Sequence, residues 1–205
     1  MFCLLGSLIS NFLVAVLGSI ALISAIDSAD SFRMFTNDGN IYTVIVSVIF
    51  VVTNVILLIN KKENLPRFIH VLRLSSAVTE AVIFLVVVII LLPSSGLFLL
   101  QGFSMLVLHV IVPILSVLSF LLFENYPKKA QLTGTILGSL PVVLYGVIAI
   151  TLVILKVWTG FQIPYPFLMV YSNPVWLTIL YIVGIFGGTF GLSFLLSFLN
   201  RKIQN

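Results

Sequence analysis

The sequence predicts an all-α fold, a polytopic membrane protein with six transmembrane helices in one bundle spanning residues 1–205. Three observations predict it. Of the 205 residues, 60% are hydrophobic and only 8% are charged, against about 25% charged in a soluble domain. With a mean hydropathy of +1.26, the chain has too little charge to clothe a globular surface, so its apolar side chains must face lipid. Secondly, a hydrocarbon core roughly 30 Å thick needs about 20 helical residues, and six apolar segments reach that length: Phe2–Ile26, Ile41–Ile59, Leu74–Leu92, Leu97–Phe123, Leu132–Leu155 and Val175–Leu199. Thirdly, these runs are continuous rather than alternating, which favours helices over a barrel.

The first segment has no basic region ahead of it and is long for a signal peptide, so it is expected to stay as a membrane helix. Between the first and second segments, residues 27–40 carry Asp27, Asp30 and Asp38 against a single base, Arg33. The loops after the second, fourth and sixth segments hold Lys61, Lys62, Arg67, Arg73, Lys128, Lys129, Arg201 and Lys202. The opposite side holds only Arg33 and, at its edge, Lys156. Basic loops stay on the cytoplasmic side, so both termini are expected inside and the loops 27–40, 93–96 and 156–174 outside. The formal charge of +4 follows from this topology, and no nucleic-acid partner is expected. Trp158, Tyr165, Tyr171 and Trp176 cluster at the last outer loop as an interfacial aromatic belt.

Two polar stripes interrupt the apolar runs. Thr36, Asn40, Thr43, Ser47 and Asn54 fall within roughly 40° of one line, if the second helix begins near Thr36. Gln101, His109, Ser116 and Ser119 fall within roughly 80° on the fourth. Polar side chains in lipid must face the bundle interior or a wet cavity. His109 is the one histidine deep in an apolar segment. Pro113 follows it at i+4 and supplies no N–H, so the His109 carbonyl is expected to lose its helical partner. Glu80 is expected to form an ion pair with Arg73 or a hydrogen bond to another helix. Gly134 and Gly138, and the pairs Gly184, Gly188 and Gly187, Gly191, give small-xxx-small steps expected to pack within the bundle. Pro164 and Pro166 stiffen the loop around Tyr165, which is expected to cap the outer end of the bundle.

Several chemistries are excluded. The lone Cys3 rules out an internal disulfide and a multi-cysteine metal site. There is no GxxxxGK[ST], HExxH or GxSxG motif. No metal and no organic cofactor are expected.

The segments Phe32-Arg33-Met34-Phe35-Thr36-Asn37, His109-Val110-Ile111-Val112-Pro113 and Pro164-Tyr165-Pro166-Phe167 occur in that order along the chain. Together they resemble the androgen-induced-gene family of membrane proteins, including its bacterial branch, over about residues 32–198. Characterised members of that family are intramembrane threonine hydrolases that cleave fatty acid esters of hydroxy fatty acids. The resemblance implies Thr36 as nucleophile and His109 as base, with a lipid ester as substrate. Asn40 and Tyr165 are the expected substrate-binding residues, and the plasma membrane of a bacterium the expected location. Small-solute transport along the polar stripes and a non-catalytic scaffold role are the alternative classes.

Overall fold

The computed structural model describes residues 2–61, 65–127 and 131–204; Lys62, Lys128 and Lys129, counted above as loop bases, lie outside the described residues. Six helices are long and apolar enough to cross a membrane. They are α1 (Phe2–Ala25), α2 (Phe35–Asn60), α3 (Arg67–Ser95), α4 (Phe103–Phe123), α5 (Gln131–Ile154) and α6 (Val175–Ile203). No strand occurs among the described residues. The helices run alternately up and down. One end of the bundle gathers the chain termini with Glu124; the other gathers Thr36 with the 163–170 loop.

Prolines set several boundaries. Pro66 and Pro174 stand immediately before α3 and α6 in extended backbone, where a residue without an N–H costs the helix nothing. α2 ends on Lys61 in the left-handed region, with its N–H turned back to the carbonyls of Leu57 and Leu58. α4 ends at Phe123 because Asn200 of α6 caps it. Asn200 Nδ2 donates to the carbonyls of Phe120 and Glu124, and its Oδ1 accepts the Tyr126 N–H at 2.9 Å.

α3 is the most enclosed helix and packs against α2, α4, α5 and α6. Leu74, Ala77, Val78 and Ala81 join Val142, Ala149 and Val153 of α5 and Leu196 of α6 in one apolar cluster. A second cluster, with Val14, Ala21 and Leu22 of α1 against Val107, Leu108 and Val112 of α4, lies on the other side. A column of polar side chains runs between them.

At the end bearing the termini, that column closes on one ion pair. Arg73 Nε donates to Glu124 Oε1 at 2.9 Å. The same oxygen accepts Ser119 Oγ at 3.0 Å, Asn11 Nδ2 at 3.1 Å and Ser7 Oγ at 3.4 Å. The guanidinium also donates to Ser116 Oγ at 2.9 Å and to the Ser116 carbonyl at 2.7 Å. Arg73 is therefore a buried residue of α3 and not a loop base; seven of the eight bases counted on that side are left. Its partner is Glu124, not Glu80, because both α4 and α1 bring donors to Glu124 at its level.

Other expectations are also corrected. The turn after α3 is a 3-10 turn at Gly96–Leu100 running to Gly102, not residues 93–96, because Gly96 and Gly102 take positive φ. Gln101 is exposed in that turn and leaves the α4 stripe, while His109, Ser116 and Ser119 are buried as expected. Gly138 packs inside the bundle, where an added Cβ would meet Ser193 and Leu74. Gly184, Gly187, Gly188 and Gly191 face open space, because α6 lies at the rim of the bundle.

Two outcomes are expected when unfolding of detergent-purified protein is followed by circular dichroism. Arg73→Met, which strands the Glu124 carboxylate, costs about 3–5 kcal/mol. Gly138→Ala destabilises, whereas Gly188→Ala is neutral or stabilises by up to about 1 kcal/mol, since alanine is the better helix former.

Candidate active site

The site begins where α2 begins. A 3-10 turn at Ala29–Arg33 brings the chain in, and Asn37 Nδ2 donates to the Ser31 carbonyl at 2.8 Å to hold it. Tyr145 of α5 donates its hydroxyl to the Arg33 carbonyl at 2.6 Å. Fixed on both sides, the first turn of α2 starts at Phe35 and carries Thr36, which is buried.

Thr36 Oγ1 lies 3.3 Å from His109 Nε2. His109 Nδ1 lies 2.8 Å from the Met105 carbonyl, one turn back on its own helix. A carbonyl only accepts, so Nδ1 carries the proton and Nε2 presents its lone pair to the threonine hydroxyl. The group that orients the imidazole is thus a backbone oxygen. No side chain marks it in the sequence, which is why residue patterns give no third member. The 3.3 Å separation is slightly longer than the 2.6–3.2 Å of a poised proton transfer, as is common before substrate tightens a site.

The helix around His109 is not regular. Val107–Ile111 form a π-turn, with the Val112 N–H reaching back to the Val107 carbonyl. In this i→i+5 register the carbonyl aimed at position 113 belongs to Leu108, one residue before the expected His109. Pro113 has no N–H to give it. Asn40 Nδ2 supplies the donor instead, at 3.1 Å from the Leu108 carbonyl and 2.7 Å from the Thr36 carbonyl. Asn40 is fully buried and does not line the adjoining cavity. It clamps α2 to the π-turn and so fixes Thr36 opposite His109.

Tyr165 enters from the loop between α5 and α6. It is 6% exposed, so it does not belong to the aromatic belt, unlike Trp176 at 67%. Its hydroxyl accepts the Thr36 backbone N–H at 3.4 Å, and its ring stacks on Phe167 at 5.0 Å. Burial pushes the phenol above its ordinary value, so it keeps its proton and can donate it in a hydrogen bond.

A slender apolar cavity of about 50 Å³ opens on Thr36. Its walls are Phe35 of α2, Val82, Val86 and Leu91 of α3, Val142 and Ile150 of α5, Ile185 and Phe186 of α6, and Phe167 and Leu168 of the loop. Thr36, Tyr145, Tyr165 and Tyr181 are the polar residues of its lining. His109 stands behind Thr36, outside this wall.

No protein-family model, curated protein or solved structure matches the chain. A hydroxyl backed by a basic imidazole nitrogen and a neutral phenol meet at the head of an apolar slot. That set can activate a nucleophile and receive developing negative charge. Among the described residues no group of three or more metal-ligating side chains forms.

Asn40→Ala removes the one side-chain donor to the Leu108 carbonyl. It is expected to cost about 1–3 kcal/mol, measured as a lowered unfolding temperature in detergent.

Proposed function

We propose that the protein hydrolyses lipid esters within the membrane, with Thr36 as nucleophile and His109 as general base. The observation that carries this reading is the Thr36–His109 hydrogen bond, with the imidazole tautomer set by the Met105 carbonyl, at the head of an apolar slot. The resemblance of the Thr36, His109 and Tyr165 segments to the androgen-induced-gene family points the same way.

In the proposed reaction an acyl chain lies in the slot with its ester carbonyl at Thr36. Thr36 Oγ1 gives its proton to His109 Nε2 and bonds to the carbonyl carbon. The tetrahedral oxyanion accepts a hydrogen bond from the Tyr165 hydroxyl, whose oxygen is held beside Thr36 by the Thr36 N–H. Collapse breaks the ester C–O bond, and His109 returns the proton to the departing alkoxide. Water then gives a proton to His109 and attacks the acyl-threonine. The Oγ1–carbon bond breaks, the proton returns to Thr36, and a free fatty acid leaves. Asn40 acts by position, through the Thr36 and Leu108 carbonyls, and Tyr165 by contact with the substrate.

The proposal includes an orientation. Lys61, Arg67, Arg201 and Lys202 at the end bearing the termini support a cytoplasmic side there, of a bacterium by the family resemblance, with the site toward the outer leaflet.

A fluorophosphonate probe on detergent-purified protein tests the chemistry. Wild type is expected to label, and folded Thr36→Ala and His109→Ala are expected not to. Ester hydrolysis falls at least about 10²-fold in His109→Ala, and about 10²-fold in Tyr165→Phe. A folded wild type that neither labels nor hydrolyses any lipid ester would sink this reading and turn attention to a scaffold built on the open glycine face of α6.

A further inference from the structure

A second cavity opens beside the slot, between the start of α2 and the half of α5 toward the Thr36 end. It holds about 280 Å³, where one water fills about 10–15 Å³. Five aromatic residues line it: Phe32 of the 3-10 turn, Phe35 and Tyr42 of α2, Tyr145 of α5 and Trp158 of the loop after α5. Phe35 and Tyr145 line the slot as well, with ring centroids 4.8 Å apart, so their rings stand between the two cavities. Among the described residues, the one charge in its lining is Asp38.

Asp38 is half-buried, and no described residue bonds to its carboxylate. Both bases at this end are engaged elsewhere. Arg33 pairs with Asp30 at 2.6 Å, and the Lys156 ammonium lies over the Tyr171 ring at 6.0 Å. Both tyrosines of the cavity also direct their hydroxyl protons elsewhere. Tyr145 donates to the Arg33 carbonyl at 2.6 Å. Tyr42 donates to Ser75 Oγ of α3, whose own proton goes to the Leu72 carbonyl. The cavity therefore holds an uncompensated carboxylate among aromatic residues.

A carboxylate in an aromatic-walled cavity selects among cations. A hard metal ion needs several oxygen ligands, and one carboxylate supplies only two. An alkylammonium is matched by both parts of the wall. Asp38 balances its charge, and aromatic rings attract such a head within about 6 Å of their centroids. Asp38 lies about 5 Å along α2 from Phe35, the first residue of the helix. So shallow a position in a membrane span is the level at which phospholipid heads meet Trp and Tyr side chains.

We infer that this cavity binds an organic ammonium ion of the kind a phospholipid head carries, with Asp38 as its counter-ion and the five aromatic residues as its walls. Phe32, 50% exposed, marks the open side by which the head enters. The rings of Phe35 and Tyr145 separate this site from the slot at Thr36, and it does not depend on the proposed hydrolysis.

The test uses the full chain carrying Trp176→Phe, which leaves Trp158 as the one tryptophan, delipidated in a maltoside detergent. Tetramethylammonium chloride is titrated against NaCl at equal ionic strength. Trp158 emission is expected to change saturably with tetramethylammonium and not with NaCl. Asp38→Asn is expected to weaken that binding at least about 10-fold. Phe32→Leu, at a half-exposed position, is expected to weaken it several-fold and decides the matter should Asp38→Asn not fold. In nanodiscs of phosphatidylglycerol, added phosphatidylethanolamine or phosphatidylcholine is expected to give the same change in emission. A response to tetramethylammonium with none to either lipid keeps the ammonium site and overturns the lipid head as its source. No saturable response in the folded protein overturns the assignment. So does a response of equal size in NaCl, or one that survives both substitutions.

Discussion

The oxygen Glu124 Oε1 takes hydrogen bonds from Arg73, Ser119, Asn11 and Ser7. Those donors come from α3, α4 and α1, and Asn54 of α2 is tied in through Ser7 at 3.0 Å. In lipid, apolar side chains gain little by meeting each other rather than the acyl chains around them, so polar contacts and close packing must set which helix lies where. One shared acceptor fixes four helices at a common level. The Thr36 end inherits that alignment: with α2, α3 and α4 set at one end, Asn40 and Thr36 arrive at the level of the π-turn at the other.

Much of the fold was legible because the bilayer demands length and continuity, and six runs supply both. The α2 stripe was legible because 3.6-residue periodicity puts Thr36, Asn40, Thr43, Ser47 and Asn54 on one line, and all five are buried. Glu124 was not, since it follows the last apolar residue of α4 and reads as loop; burial comes from a tertiary turn inward under Asn200. Arg73 was misread for the same reason. Periodicity shows which face of a helix is polar, but not how deep a residue at its end sits. Tyr165 sits in a tract of aromatic residues that any interface would contain; apart from the family resemblance, only the fold distinguishes it as the one turned inward.

The candidate site was legible in its side chains and illegible in its backbone. His109 stands out by residue type, whereas Thr36 is singled out from its polar stripe only by the family resemblance. Their relation depends on the Met105 carbonyl, the Leu108 carbonyl and the Thr36 N–H, backbone groups that every sequence possesses. Asn40 joins the two levels: a side chain visible in the stripe, bonded to two carbonyls that are not.

The π-turn at Val107–Ile111 has a counterpart at Val87–Leu91, and each ends two residues before a proline, Pro113 and Pro93. Each adds one residue to a helix without lengthening it by a full α-helical step. For α4 this acts as a phase offset between its two halves. The half beyond Pro113 is locked in angle by Ser116 and Ser119, while the half bearing His109 is turned relative to it by about 100°, the angle of one residue. A chain one residue shorter here would form a straighter and more regular α-helix, with its imidazole swung away from α2. Regularity and the Thr36–His109 contact are thus mutually exclusive in this helix, and the irregular geometry is the one that the Asn40 clamp holds in place.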